Sequence, residues 1–477
     1  MTRALVRLWS VALGLAAGTV LGFERSLQPA LLAIAALVCG TVMLRRRSLF
    51  ALPAVVGVSL CLGALNATVR AAPAAITELA RMVPDCRLEG RVLERSALGT
   101  FLAVRRADCD GAGRVDRAGS VVVDDLVAEA GETFEAYGTL IPLGSNGFDE
   151  ARRFSGAHSS FAPDRYIHGP VHGAPLVVAA KVRAALHAAT DGLDPARAGL
   201  LRGVTIGDTE LLAAETVEAF RRSGLSHVLA VSGSNLAIVL GAVSAVAASA
   251  ARRSRLMVSL AAMSLFVLVV GPDPSVLRAG AMGAITVVAL GLGRRAEPLF
   301  AIALALIVVI ALRPAMVFSV GLHLSAAATA GIVLWGEAIA RRCTRVPRVA
   351  AMAIGATLSA QVAVAPILIA TFGQLSLIGP VANVLALPAV PPATVIGLGS
   401  AAVELLHEGW GGAFARVAAL FGDWILFLAG ASGGQGWAAI EVPRWLGGAL
   451  GSVVLAAGVR SAVRLGAPTD LSDRRAD

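Results

Sequence analysis

Residues 251–274 read ARRSRLMVSLAAMSLFVLVVGPDP. Arginines open the stretch, residues 256–270 carry no charge, and a Gly-Pro-Asp-Pro turn closes it. A run that apolar has no polar face to show to water, and its length suits a helix sunk in hydrocarbon. Residues 299–312 and 446–459 repeat the pattern, each bounded by Arg or by Pro/Gly turns. The whole chain agrees, since 56% of its 477 residues are hydrophobic and 15% charged, with a mean hydropathy of +0.75. That composition leaves too little polar surface to cover a soluble protein, so the missing surface faces lipid.

Extended outward, the pattern gives a polytopic α-helical membrane protein of about twelve spans. Three fall near 8–22, 29–44 and 49–67, making 1–71 an N-terminal helical block. Arg3 and Arg7 before an apolar stretch resemble a signal peptide, but further spans follow at once, so the first is read as an uncleaved span. Nine more fall near 226–250, 256–271, 275–292, 298–312, 315–336, 348–371, 376–404, 414–430 and 445–463, within a block of 176–465. Arg45–Arg47, Arg252/Arg253/Arg255, Arg294/Arg295 and Arg341/Arg342/Arg345 lie on alternate loops. The positive-inside rule makes those loops, the N-terminus and the tail 466–477 cytoplasmic in an inner membrane.

Residues 72–175 differ. Short alternating stretches at 87–93, 101–104 and 119–123, separated by Gly/Asp-rich turns such as 108–113, predict a small β-barrel or sandwich. By the same topology this one soluble domain is extracytoplasmic. It holds more Asp and Glu than Arg and offers no evident nucleic-acid surface. Cys86 and Cys109 lie in it; an oxidising side would allow them to pair, although spacing alone does not establish geometry. Cys39, Cys61 and Cys343 read as small residues in or beside apolar spans. Residues 176–190, with Lys181, Arg183 and His187, suit an amphipathic helix at the membrane interface.

Several chemistries are excluded. The net charge of +9 is carried almost wholly by arginine, and the single lysine, Lys181, follows two alanines. A phosphate-binding P-loop needs a lysine after its glycines, so no motor of that type is encoded here. There is no zinc-protease His pair, no catalytic residue is assigned, and neither a metal nor a cofactor is expected. Gly430-Ala431-Ser432-Gly433-Gly434 matches GxSxG but follows a span and reads as a flexible loop, not a strand-to-helix nucleophile elbow. His158, His168 and His172 cluster without a supporting Cys and are not read as a metal site.

Polar and helix-breaking residues inside the membrane block point to a cavity, because a charged solute needs interrupted helices and polar walls to cross. The first such region, 221–238, reads RRSGLSHVLAVSGSNLAI. The second is 376–394, where Gly379-Pro380, Asn383 and the prolines 388, 391 and 392 interrupt an apolar span. Asp273, Arg278, Ser319/His323, Gln361 and Gln374 lie between them. Singly, each has a plainer role, such as a serine bonding its own backbone, a packed histidine or a proline kink.

Residues 207–238, GDTELLAAETVEAFRRSGLSHVLAVSGSNLAI, resemble the competence domain of the ComEC family, the DNA-internalisation channels of natural transformation. PSVLRAGAMG at 274–283, VGLHLSAAATAGI at 320–332 and AQVAVAPILIATFGQLSLIGPVANVLALP at 360–388 keep the same order. SNGFDEARRFSGAHSSFAPD at 145–164 looks like the end of that family's extracytoplasmic domain, described as OB-like. The resemblance implies an inner-membrane channel for single-stranded DNA, with Cys86–Cys109 as a candidate disulfide. Asp208, Glu210, His227, Ser232, Gly233, Asn235, Arg278, His323, Gln361 and Asn383 would line or shape the path. Asn235 stands where many relatives carry His, and His323 where many carry Gln. Larger members add a metallo-β-lactamase-like nuclease domain, whose HxHxDH motif does not occur in these residues. The implied partners are single-stranded DNA, an external DNA receptor protein, a cytoplasmic ATP-driven helicase-like protein and membrane lipid, with homo-oligomerisation left open. Two other readings stand beside the channel: a carrier for a small solute or lipid precursor, and a membrane hydrolase using Ser232 and His227.

Overall fold

A computed structural model describes residues 75–466 apart from 83, 97–98, 112, 125, 145–148, 150–151, 154, 230, 232, 272, 292–296 and 436, together with 9, 11–13, 15 and 16. The three spans expected before residue 72, with Cys39, Cys61 and the triple arginine, therefore lie outside the described residues or nearly so. Arg294, Arg295 and the tail from 467 do too.

The soluble domain opens with a short helix, α1 (Ala75–Ala80), followed by β1 (Asp85–Ser96), β2 (Gly99–Cys109), β3 (Gly113–Val123), β4 (Glu132–Ile141) and β5 (Ser159–Val171). The strands close into a barrel in the order β1-β2-β3-β5-β4. All pairings are antiparallel except β3 with β5, which meet in parallel at Val121–Ser159 and Val122–Ser160. Alternation explains the interior. Leu88, Leu102, Val121, Ala136, Leu140 and Phe161 point inward, and Ile76 and Leu79 of α1 join the same core. Two glycines let the strands bend tightly enough to close. A Cβ on Gly90 would lie 2.0 Å from the Ala103 carbonyl oxygen, and one on Gly138 2.1 Å from that of Ala162. Both sit where the strand register shifts, as glycine corners of a closed barrel do. Cys86 and Cys109 face each other across the β1–β2 register and are joined by a disulfide.

The helical part comprises α2 (Ala174–Thr190), α3 (Pro195–Ile206), α4 (Ala214–Arg222), α5 (Ser226–Leu229), α6 (Gly233–Val246), α7 (Arg252–Val270), α8 (Pro274–Gly291) and α9 (Pro298–Leu312). It continues with α10 (Val320–Ala340, which carries a π-helical turn at Ile332–Gly336), α11 (Arg348–Phe372), α12 (Gly379–Ala386), α13 (Val390–Leu406), α14 (Gly411–Gly433) and α15 (Trp445–Gly466). A two-stranded ribbon pairs β6 (Gln374–Ser376) with β7 (Ala439–Glu441).

The chain is thus a membrane protein with a small β domain, and among the described residues fewer helices reach the length of a full crossing than the nine spans expected over 176–465. Among the described residues, α7, α10, α11 and α14 are long and apolar enough to cross a bilayer. The pair α12–α13, bent by 50°, makes a fifth. The span expected at 226–250 is divided between α5, which ends at Leu229, and α6, which begins only at Gly233. α8, α9 and the apolar part of α15 are also shorter than a full crossing. α14 has 23 residues, about 34 Å, which matches a hydrocarbon core of about 30 Å. Exposed Trp410 and Trp437 flank it, as aromatic anchors flank a crossing helix.

Three ion pairs join the barrel to the helices: Arg95 with Glu210, Glu94 with Arg313, and Glu129 with Arg183. Arg183 also donates to the carbonyls of Leu268 and Val269, at 3.0 and 2.9 Å, which ties the last turn of α7 to the barrel. Arg252, Arg253 and Arg255 begin the same 19-residue helix and so lie about 28 Å away at its far end. α2 carries Arg183, and its buried face of Ala179, Ala185, Leu186 and Ala189 packs on other helices. Residues 176–190 therefore form a helix packed between barrel and bundle, where the sequence led us to expect an amphipathic helix at the membrane interface.

One smaller expectation changes. The GxSxG string occupies the last turn of α14, not a flexible loop, and the Ser432 hydroxyl donates to the Leu428 carbonyl of its own helix. His158 contacts Ser120 Oγ at 2.8 Å, and His168 contacts Glu132 at 2.6 Å. Cys343 is half-buried, with Sγ 3.6 Å from the Ile339 carbonyl.

Candidate functional site

The two interrupted regions meet in the folded chain. α4 ends at Arg222 with Ser223 as its C-cap, and Gly224 reverses the chain with φ = 74°, a conformation that favours glycine. The reversal packs against the start of α12 so closely that a Cβ on Gly224 would sit 2.9 Å from Gly379 Cα. Ser376 stitches the two together: its hydroxyl donates to the Arg222 carbonyl at 2.9 Å and accepts from the Gly379 amide at 3.1 Å.

This contact places His227, on α5, against Asn383 on α12. His227 Nε2 lies 3.1 Å from Asn383 Oδ1, and Nδ1 lies 3.1 Å from the Gly224 carbonyl. Asn383 Nδ2 donates to Thr357 Oγ1 at 2.9 Å, extending the chain of polar groups to α11. Gln361, one turn further along α11, reaches the Ser376 carbonyl at 3.5 Å. Three of the expected residues, His227, Gln361 and Asn383, thus converge where α12 and α13 break. Thr357 and Ser376 were not singled out. Each lay in plain view as a polar residue in an apolar stretch, but only the fold shows which neighbour it meets.

Other expected residues have different places. Asn235 is buried, and its Nδ2 donates to the Val204 carbonyl at 2.8 Å. Val204 is in the last turn of α3, where carbonyls lack helical partners, so Asn235 pins α6 to that helix end. His323 is exposed on α10, one turn after Ser319, whose hydroxyl caps that helix by accepting from the Leu322 amide at 3.3 Å. It does not join the cluster. Ser232 lies outside the described residues. Arg278 is buried at 4% exposure, its Nε donating to Ser325 Oγ at 2.8 Å and its Nη1 reaching Met282 Sδ at 2.9 Å. It is neither an interfacial anchor nor in an ion pair with Asp273 among the described residues. Gly233 opens α6 directly beside it.

Asp208 and Glu210 sit at the junction with the barrel, away from the His227 cluster. Glu210 pairs with Arg95, and Asp208 Oδ2 lies 3.1 Å from His187 Nε2. The His187 contact holds the Asp208 carboxyl below its ordinary value of 3.8, against the opposing effect of burial. A carboxyl depressed in the folded state stabilises the fold above its unfolded pKa, and loses that contribution as pH falls through the folded value. Melting temperature should therefore drop more steeply below about pH 4 in the parent chain than in Asp208→Asn; superimposable profiles would remove Asp208 from this junction.

A family model described as Competence protein matches residues 204–464, more than half of the chain. ComE operon protein 3 of Bacillus subtilis (strain 168) is 27% identical over 198 residues, which make up 41% of this chain and 25% of that relative. The similarity thus spans about a quarter of the relative's length. No solved structure matches.

Proposed function

Because this chain belongs to the competence protein family, we propose that it passes single-stranded DNA through the inner membrane during natural transformation. The observation that carries the reading is the meeting of two interrupted helical regions at His227–Asn383–Thr357, within the family-matched residues. Helices broken around polar side chains line the paths of polar solutes through membranes. A plain lipid-facing bundle has no use for them.

In this reading the barrel is OB-like and stands outside the cell membrane. Its disulfide suits an oxidising compartment, and the arginines of α7 lie at the end remote from it, as the positive-inside rule requires. The barrel receives or guides the strand beneath an external DNA receptor, and the ion pairs at Glu94, Arg95 and Glu129 hold it over the bundle. The strand then passes along the polar groups of α5, α11 and α12. These groups position and solvate; no bond is made or broken, and we assign no catalytic residue. Work is supplied by a cytoplasmic ATP-driven partner, since the single lysine is not set in a P-loop.

The test is delivery of labelled DNA to the cytoplasm in a deletion strain and in one re-expressing the chain. DNA should stall outside the inner membrane in the first and enter in the second. Equal entry in both strains would overturn the channel and bring the carrier for a small solute or lipid precursor forward.

A further inference from the structure

Arg278 carries its charge without a counter-charge. It is 4% exposed, and among the described residues no carboxylate lies within ion-pair distance of it. Its two hydrogen bonds go to neutral atoms, Ser325 Oγ and Met282 Sδ. Nη2 has no partner among the described residues and is directed at Gly233, the first residue of the 14-residue helix α6. A Cβ at that position would sit 3.2 Å from Nη2 and from Ala279 Cβ, so a side chain there would crowd the guanidinium.

The neighbourhood makes the missing counter-charge more pointed. A helix N-terminus presents unsatisfied amides and a partial positive charge, so α6 adds to the potential of Arg278 instead of offsetting it. A buried guanidinium is rarely tolerated unless it is paired. Two positive ends packed together ask for an anion between them, and amides beside a guanidinium fork are the donor set that suits phosphate oxygens. Arg278 lies one turn into α8, whose start follows the barrel-tethered end of α7. The corner is thus at the barrel side of the bundle.

The geometry points to a phosphate site here: Arg278 Nη2 and the Gly233 amide at the start of α6 hold one phosphodiester of the incoming strand as it leaves the barrel. This assignment rests on the reading of the chain as a path for DNA.

The test uses the full chain in nanodiscs of zwitterionic lipid, followed by thermal melting. Inorganic phosphate should raise the melting temperature saturably relative to chloride at equal ionic strength. A short oligothymidylate should do the same, and its uncharged methylphosphonate analogue should not. Arg278→Gln should abolish the response. Gly233→Ala, which keeps the charge but crowds Nη2, should weaken it, so the test survives if Arg278→Gln fails to fold. In cells, Arg278→Gln should lower DNA entry by about tenfold or more at equal membrane abundance, as loss of a charge-assisted contact does. Equal responses in parent and variants, or none in any, overturn the site. A saturated shift caused by phosphatidylglycerol alone assigns the phosphate to lipid and overturns the DNA strand as its source. Entry lost on deletion but unchanged in Arg278→Gln overturns the site and leaves the channel standing. A phosphate response that needs Arg278, in a chain whose deletion leaves entry unchanged, overturns the channel instead.

Discussion

Leucine in place of Gly355 should keep the chain from accumulating in the membrane as a folded protein. Gly355 lies on α11 where that helix crosses α10, and a Cβ there would sit 2.3 Å from the Gly336 carbonyl oxygen and 3.0 Å from Ala340 Cβ. One turn away the fit is as close: a Cβ on Gly331 would lie 2.6 Å from the Ser359 carbonyl oxygen and from Ala363 Cβ. Gly355, Ser359 and Ala363 follow one another at intervals of four on α11, the small-residue stripe by which membrane helices approach backbone to backbone. Lipid tails are as apolar as leucine, so this contact, rather than release of water, holds the helices together. The obstructing atom at Gly336 is main-chain oxygen in the π-helical turn of α10, and no rotamer change moves it aside. The cost should exceed about 3 kcal/mol, near the upper end for a single substitution. Gly399→Ala is the control, because a Cβ at 399 meets no atom within 4 Å. Membrane abundance and thermal melting in detergent would compare the two. A well-folded Gly355→Leu chain would mean that α10 and α11 do not approach this closely.

The second large effect concerns the barrel. Replacing Cys86 and Cys109 together by serine should destabilise it by about 3 kcal/mol, the chain-entropy value for closing a loop of this length. The two residues are 23 apart in sequence and opposite each other in the β1–β2 register, so the bridge joins residues that the strand pairing already brings together. Denaturant-dependent proteolysis of the full chain in detergent would read the change. Reducing agent should lower the resistance of the parent barrel by the same amount and leave the double variant unaffected. Equal resistance of parent and variant would show that the bridge adds nothing. Alkylation in intact cells tests the orientation as well: reactive thiols at both positions would place the barrel in a reducing compartment and contradict its proposed side of the membrane.

Some features could be read directly from residue order because they are local. The breaks in the membrane block illustrate this. Pro388, Pro391 and Pro392 cannot continue an α-helix from Gly379, and the chain bends by 50° between α12 and α13. The barrel strands were visible at 87–93, 101–104 and 119–123, since alternation of apolar and polar residues is a property of the strand itself; in the folded chain they lengthen to β1, β2 and β3. The first interrupted region was misjudged in extent. An apolar run around Ser232 looks like one helix by hydropathy, yet α5 ends at Leu229 and α6 begins at Gly233.

Residue order by itself determined that the chain enters a membrane, that one segment is a β domain, and where the longest apolar helices break. Each follows from composition or periodicity within a window of a few turns. The tertiary structure alone decided which polar groups meet. Asn383 lies between His227 and Thr357, 156 and 26 residues away, whereas Asn235, an equally polar intramembrane residue, serves as the partner of a helix-end carbonyl. It also decided that β3 closes the barrel on β5, and that Arg278 is buried with no acid in ion-pair contact among the described residues. The physical reason is range: hydropathy and propensity act between neighbours in sequence, while hydrogen bonding, close packing and charge compensation depend on neighbours in space.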